Sequence, residues 1–407
     1  MTASAENTEN MAEKWGLNPA QFWLRGEHPS APVVYDEATG FWNVYGHPEI
    51  IEMFTDPKTF SSDTQRVVPK DTGVGDAGAL TEGNLINVDP PDHTKLRKLV
   101  SHAFTPKVVA NLEPRIAELT NELLDAATGG GRMELVADLA YPLPVIVIAE
   151  LLGVPAADRP LFKKWVDGML SSSKQFSLND DSEEQLDYAR NAMEQAKNLA
   201  DYFASHITDR RTHARDDLLT KLVEAEVDGE RLTDAEVANF AMVLLIAGHI
   251  TTTMLLGNTV LCLDTHPEQL AAVRADRSRV PAAIEESLRF FSPFAAVGRA
   301  TMTDVELGGV RIPADTLIMA WVAAANRDPR TFARADVYDS TRDPNPHVAF
   351  GRGIHFCAGA PLARLEGRVA MNILLDRLPG LRTIPDEPPV FVPTPAMTGV
   401  SRLPLLV

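Results

Sequence analysis

Cys357 is the residue in this sequence best placed for chemistry, because the segment around it would hold a sulfur anion. Residues 350–359 read FGRGIHFCAG, and the glycines let the backbone bend closely around the sulfur. A helix-compatible run begins at Ala360, so Cys357 lies just before a helix N-terminus, where amide dipoles stabilise a thiolate. A thiolate is a ligand for soft or borderline metals. The phenyl rings of Phe350 and Phe356 are expected to shield it from water.

The second cysteine, Cys262, lies on an apolar helix face and is predicted to be a small buried hydrophobic residue. Two cysteines can form neither a disulfide framework nor a four-thiolate metal site. Any cysteine chemistry in this chain therefore uses one sulfur.

Two pairs of ionisable residues have helical spacing. Glu286 and Arg289 are three apart and can form an ion pair on one helix face. His93 and Arg97 are four apart and can point in the same direction. Taken alone, each pair is equally typical of a solvated helix.

A long helix is predicted in the middle of the chain. The capping box Thr233–Glu236 starts it, and nothing stops it decisively before His266-Pro267. About thirty residues correspond to a length of about 45 Å. Its centre, residues 247–253 (AGHITTT), combines a glycine with three threonines, which invites a widening or kink. This run is either a tolerated irregularity of a core helix or a groove for a small ligand.

The pattern Phe-x-x-Gly-x-x-x-Cys-x-Gly at Phe350, Gly353, Cys357 and Gly359 resembles the signature of the cytochrome P450 family of haem-thiolate enzymes. The resemblance extends in the same order over nearly the whole chain, and it is to soluble bacterial members of actinobacterial secondary metabolism. It implies a mainly α fold with a small β portion, in which a long central helix crosses over the haem. It also implies that Cys357 is the axial ligand of the iron in haem b.

The same resemblance assigns further haem-binding residues. Propionate partners are implied in residues 89–97 (DPPDHTKLR), at position 299 and in the cysteine loop, because buried propionates need cationic or strong hydrogen-bonding partners. These partners are His93, Arg97, Arg299 and His355. Other positions implied to contact the haem are Phe350, Gly351, Gly359 and Ala247. Glu286, Arg289 and Arg342 resemble the charge network that braces the cysteine loop.

Residues 247–252 resemble the oxygen-binding groove of the family, which implies catalytic positions at Gly248, His249, Ile250, Thr251 and Thr252. Thr251 occupies the alcohol position and is implied to hydrogen-bond dioxygen or a water. Ile250 occupies the usual acid position, and an aliphatic side chain cannot relay protons. Thr251, Thr252 and water could suffice, His249 could help, or the substrate could supply a polar group. Slow or uncoupled turnover is also open.

Composition and charge restrict the partners. The 407 residues are 45% hydrophobic, and 56 acidic against 38 basic residues give a net charge of −18, which disfavours nucleic acid and anionic membranes. Residues 1–18 lack a signal-peptide pattern, and the apolar stretches 141–154 and 243–256 are interrupted. We therefore expect a cytoplasmic, unanchored protein that forms a single domain over residues 1–407. Residues 1–14 and 71–83 are expected to be flexible.

The remaining elements follow from periodicity. A β-hairpin is predicted from residues 33–35 and 41–45, and short strands around 305–312. Amphipathic helices are predicted at 108–127, 186–210 and 281–290.

The implied function is insertion of one oxygen atom from dioxygen into an apolar small molecule, by analogy a polyketide or macrolide. No dinucleotide fingerprint is evident, so electrons are expected from NAD(P)H through a ferredoxin and its reductase. Candidates for the docking face are Lys95, Lys98, Arg352 and Arg364. The resemblance places the pocket at 63–88, 161–178, 242–246, 291–297 and 396–397. A peroxide-driven or phenol-coupling oxidase and a non-catalytic haem-binding protein are the alternatives.

Overall fold

The computed structural model describes residues 12–68, 83–227 and 229–407. Most of the two segments expected to be flexible, residues 1–11 and 71–82, lies outside these ranges. The α-helices that carry the fold are α1 (His47–Thr55), α2 (Asp92–Ala103), α3 (Pro106–Asn111), α4 (Glu113–Ala127), α5 (Pro142–Leu152), α6 (Arg159–Met169), α7 (Glu183–Thr212), α8 (Leu218–Glu224), α9 (Asp234–Thr265), α10 (Pro267–Ala275), α11 (Val280–Phe290), α12 (Val322–Ala325) and α13 (Ala360–Arg377).

The strands are short and grouped into small sheets. They are β1 (Val33–Asp36), β2 (Phe41–Val44), β3 (Phe60–Ser61), β4 (Arg132–Glu134), β5 (Glu226–Val227), β6 (Glu230–Arg231), β7 (Val297–Thr301), β8 (Val305–Leu307), β9 (Val310–Ile312), β10 (Leu317–Ala320), β11 (Arg382–Thr383), β12 (Val390–Phe391), β13 (Val400–Arg402) and β14 (Pro404–Leu406). The predicted mainly α fold with a small β portion is confirmed.

The central helix is α9, and it begins and ends where the sequence predicts. The Thr233 hydroxyl accepts a hydrogen bond from the Glu236 amide at 3.1 Å, and the Glu236 carboxylate accepts one from the Thr233 amide at 2.7 Å. The helix ends at Thr265 and is capped by His266, the residue before Pro267. Its 32 residues are continuous α-helix, so the predicted widening is not found. A π-helical turn lies instead at Val136–Ala140.

Helix α9 is apolar on all sides because other helices surround it. It packs against α5, α7, α11 and α13. An 18-residue stretch of it has a mean hydropathy of 1.8, enough by length and composition to cross a membrane, but 72% of that stretch is buried inside the molecule. Burial in the core therefore accounts for its composition.

The largest sheet has the strand order β1-β2-β10-β7-β3. The predicted hairpin is present as the antiparallel pair β1–β2, with Val33 opposite Val44. At the other edge β3 pairs with β7, which places Ser61 opposite Ala300. Ser62 follows β3 directly, and Arg299 precedes Ala300 in β7.

The predicted helices differ from those in the structure mainly in where they begin and end. Residues 186–210 and 281–290 lie within α7 and α11, as expected. The predicted helix 108–127 is divided into α3 and α4 at Leu112.

The connection between α6 and α7 is tied to the turn of the first hairpin. The Leu178 amide donates to the Thr39 carbonyl at 2.8 Å. The Ser177 hydroxyl donates to the Ala38 carbonyl at 2.9 Å, and the Asn179 amide group donates to the Glu37 carbonyl at 2.8 Å. Three consecutive residues therefore bind three consecutive carbonyls.

Candidate haem site

The cysteine loop, residues 350–359, lies directly before α13 in the chain. Gly351 and Gly353 have φ values of +69° and +68°, the left-handed region that favours glycine. A Cβ on Gly353 would lie 2.0 Å from the Phe54 carbonyl oxygen, so only glycine lets the loop approach α1 this closely. The Cys357 amide donates to the Phe350 carbonyl at 2.9 Å, which closes the loop before the helix begins.

Opposing effects act on the sulfur of Cys357. Burial raises the pKa of the Cys357 thiol, whereas the amides of Gly359 and Ala360 and the charges of Arg97 and Arg364 favour the thiolate. The predicted position at a helix N-terminus therefore supplies stabilising groups. Because burial prevails, a cation next to the sulfur would be needed to hold it deprotonated.

Side-chain contacts connect the cysteine loop and the start of α13 to α11. Arg364 binds Glu285 through two hydrogen bonds of 2.7 and 2.8 Å, and its guanidinium lies 4.5 Å from the centre of the Phe350 ring. His347 approaches the same carboxylate at 3.0 Å. These partners outweigh burial and lower the pKa of Glu285 to about 2. Glu285 was not identified from the sequence.

The predicted charge network is present and buried. Arg289 binds Glu286 at 2.7 and 2.8 Å, and neither side chain is accessible to solvent. Arg342 adds a contact of 3.1 Å to the same carboxylate. Arg289 also donates to the carbonyls of Asn326, Ala335 and Val337. The network thus orders the chain that leads to the cysteine loop.

The four predicted propionate partners come together from three elements. His93 is 3% exposed, its ring centre lies 4.2 Å from that of His355, and Arg299 is 6% exposed. Burial and the nearby cations lower the pKa of His355 to about 3, and burial lowers that of Arg299 to about 10. The Nε2 atom of His93 is buried without a hydrogen-bond partner among the described residues. Such a cluster is short of negative charge and suits an anionic ligand.

The middle of α9 has a half-buried stripe, in addition to the half-buried Ile246, which packs with the Ile250 cluster described below. Leu244, Ala247, Gly248 and Thr251 are half-buried, and their spacing of i, i+3, i+4 and i+7 defines one stripe. The Thr251 hydroxyl donates to the Ala247 carbonyl at 2.8 Å, which leaves its oxygen lone pairs on this stripe. We call these four residues the α9 stripe.

The other residues of the predicted groove point elsewhere. His249 is fully buried, its Nδ1 lies 2.7 Å from the Leu245 carbonyl, and its ring packs edge-on against Tyr141. The structure does not bring its side chain to the α9 stripe. Thr252 is buried and donates to the Gly248 carbonyl at 3.1 Å.

Ile250 lies in a separate apolar cluster. Its buried partners are Val166 of α6, Met254 of α9 and Met397 near the C-terminus. The position that resembles the family's acid therefore faces aliphatic side chains, which cannot relay protons.

The comparisons with known proteins agree with this geometry. The sequence profile of the family described as "Cytochrome P450" matches residues 22–395. Cyclomarin C epoxidase CymV from Salinispora arenicola is 42% identical over 381 residues, covering 94% of this chain and 94% of the relative. Erythromycin C-12 hydroxylase from Saccharopolyspora erythraea is 39% identical over 386 residues, covering 94% and 93%.

A solved structure supports the same assignment. The crystal structure of HmtT, involved in himastatin biosynthesis, matches with a TM-score of 0.85 and 57% identity, covering 97% of this chain and 99% of that one. The chain belongs to the cytochrome P450 family, whose members are haem-thiolate monooxygenases.

The residues present fit a haem. No group of three His, Cys, Asp or Glu side chains within the described ranges could hold a metal ion. Cys357 would be the protein ligand of a haem iron. A porphyrin supplies the other ligands in a thiolate-bound haem. The orphaned His93 Nε2 and the basic cluster provide the partners that two propionates need.

Proposed function

We propose that this monooxygenase hydroxylates or epoxidises a bulky, mainly apolar secondary metabolite such as a polyketide or macrolide. The observation that carries the proposal is the α9 stripe, which presents Thr251 beside small residues in a helix packed on α13, directly after the cysteine loop. The names of two relatives support the reaction types, since one is an erythromycin C-12 hydroxylase and another a cyclomarin C epoxidase.

The protein supplies binding, orientation and exclusion of water. Cys357 would hold the haem iron, and His93, Arg97, Arg299 and His355 its propionates. The thiolate-bound haem supplies the electron-rich iron that activates dioxygen. Thr251 can accept a hydrogen bond from a water on the α9 stripe and hold it in place, since its own proton is donated to Ala247.

The apolar residues near α9 support an apolar substrate. The Ile250 cluster is extended by Ile246 and Leu170, both partly buried. Phe294 is 40% exposed and forms an isolated β-bridge with Met397. An aromatic and aliphatic wall of this kind gains free energy from contact with hydrocarbon rather than with charged groups.

Electrons are proposed to come from NAD(P)H through a ferredoxin reductase and a ferredoxin in the cytoplasm. Among the candidate docking residues, Lys98 and Arg352 are exposed. Lys95 lies 3.9 Å from Glu236, and Arg364 is paired with Glu285, so these two contribute less net positive charge. An acidic partner would be attracted to this face despite the overall charge of −18.

The first experiment is the optical difference spectrum of the dithionite-reduced protein with and without carbon monoxide. We expect a strongly red-shifted Soret band that disappears in Cys357→Ala. Cys262→Ala is the matched control, because Cys262 is fully buried, and it should keep the band. A band that survives in Cys357→Ala, or a protein that retains no haem, would contradict the assignment.

A peroxide-driven oxidase is the second candidate, favoured by the apolar surroundings of Ile250. Peroxide brings both electrons and protons, so it does not need a proton relay. Turnover with hydrogen peroxide is compared with turnover driven by ferredoxin, reductase and NAD(P)H. Faster product formation from peroxide would support this candidate, and product formed only with the electron-transfer proteins would exclude it.

A further inference from the structure

We infer that Asp89 and Ser62 are positioning residues for the haem-binding bases, acting through a hydrogen-bonded chain that ends on His355. The inference rests on the proposed haem site and adds residues to it. None of the motifs that identify the family contains Ser62, and Asp89 is the first residue of the segment 89–97 without a role assigned to it.

The chain begins at the carboxylate of Asp89. Its Oδ1 accepts a hydrogen bond from the Ser62 amide at 2.9 Å, and its Oδ2 accepts one from the Ser61 hydroxyl. The Ser61 oxygen in turn accepts from the Asp63 amide at 3.0 Å. Ser61 and Ser62 are only 1% and 2% exposed. One carboxylate thus fixes the backbone at the end of β3.

The chain continues from Ser62 to His355. The Ser62 hydroxyl lies 2.8 Å from Nε2 of His355, the only hydrogen bond that this ring makes within the described part of the chain. If the hydroxyl donates to Nε2, the proton of the neutral ring resides on Nδ1, which becomes a donor for a carboxylate. With the hydroxyl as donor, Ser62 orients the ring and leaves the Nδ1 proton for a propionate.

Asp89 also connects the remaining bases. Its main-chain carbonyl accepts from the His93 amide at 3.0 Å in the first turn of α2. The β3–β7 pairing places Ser61, the residue before Ser62, opposite Ala300, the residue after Arg299. The charge of Asp89 favours the protonated forms of His93 and Arg299. Asp89, which is half-buried, thus acts on His93 and Arg299 through its charge and on His355 through Ser62.

The test measures haem retention rather than turnover. Loss of haem from the oxidised holoprotein to excess apomyoglobin is followed optically for the wild type and for Ser62→Ala, Ser62→Thr and Asp89→Ala. Losing one hydrogen bond to His355 should accelerate haem loss about three- to ten-fold in Ser62→Ala. Ser62→Thr keeps the hydroxyl and should restore slow loss. Thr120→Val removes an equally buried hydroxyl whose hydrogen bond stays within α4, to the Ile116 carbonyl at 2.7 Å, and should leave the rate unchanged.

The double variant Ser62→Ala with Asp89→Ala distinguishes a chain from two separate effects. Because both residues act on the same ring, their effects should be less than additive. Wild-type rates in Ser62→Ala, equal rates in Ser62→Ala and Ser62→Thr, or fully additive effects would overturn the inference. In each variant the carbon monoxide band reports whether Cys357 still binds the iron. Its absence in the wild type would instead refute the proposed function.

Discussion

Glu366 is a buried acid in α13 whose ionisation should control the stability of the protein. It is 1% exposed, and its Oε2 has no hydrogen-bond partner in the described ranges. Its neighbours one helical turn away, Leu362, Val369 and Ala370, are buried and apolar. Burial raises the pKa of Glu366 from its ordinary value of 4.5 to about 8.

The sign of the effect follows from proton linkage. Between pH 4.5 and 8 the folded protein keeps the proton that the unfolded chain has lost, so stability decreases as the pH rises through this window. Each pH unit corresponds to about 1.36 kcal/mol. Glu366→Gln preserves the shape without an ionisable group and should remove this dependence. From pH 5.5 to 7.5 its stability relative to the wild type should therefore rise by about 3 kcal/mol.

Urea unfolding of the holoprotein at the two pH values, followed by tryptophan fluorescence, measures this difference. Glu306→Gln is the matched control because it removes an exposed carboxylate from a strand, and its effect should change little with pH. An equal stability difference between Glu366→Gln and the wild type at both pH values would refute the reasoning. It would mean that Glu366 is ionised in the folded protein or that a polar partner satisfies it.

Two further predictions concern the framework of the haem site. Glu286→Ala leaves two arginines without their buried carboxylate, and we expect the free energy of unfolding to fall by about 3–5 kcal/mol. Arg311→Ala breaks an exposed ion pair and should change the urea midpoint little. Similar midpoints for the two variants would contradict this expectation. Gly353→Ala should abolish haem incorporation, read as the ratio of Soret to protein absorbance, because its Cβ would meet the Phe54 carbonyl. Gly380→Ala has no atom within 4 Å and should retain haem; normal incorporation in Gly353→Ala would show that the loop can shift.

Local sequence patterns predicted much of the fold. The capping box at Thr233 and the proline after His266 fixed both ends of α9, because both act within a single helical turn. The hydrophobic periodicity of residues 108–127 does not show the division between α3 and α4, but a proline in the same segment does. Pro114 disfavours helical backbone at the residue before it, which favours a new helix start near Glu113.

The cysteine loop was predictable because its glycines, its sulfur and the start of the next helix are contiguous in the sequence. The residues that contact it and hold it in place were not predictable. Ser62 and His355 are 293 positions apart, and Glu285 and Arg364 are 79 apart. Such pairs meet only through tertiary packing. His249 shows the reverse, since it is two positions from Thr251 yet lies about 200° away around the helix, as the 3.6-residue period requires.

The bonds between residues 177–179 and the carbonyls of residues 37–39 bear on kinetics. The connection from α6 to α7 forms part of the proposed pocket wall, and moving it aside for a bulky ligand breaks three hydrogen bonds. The three carbonyls belong to the hairpin turn of residues 37–39, which lies outside the segments proposed to line the pocket. We therefore expect a change in this turn to alter how long a substrate or product stays bound more than which molecule is preferred.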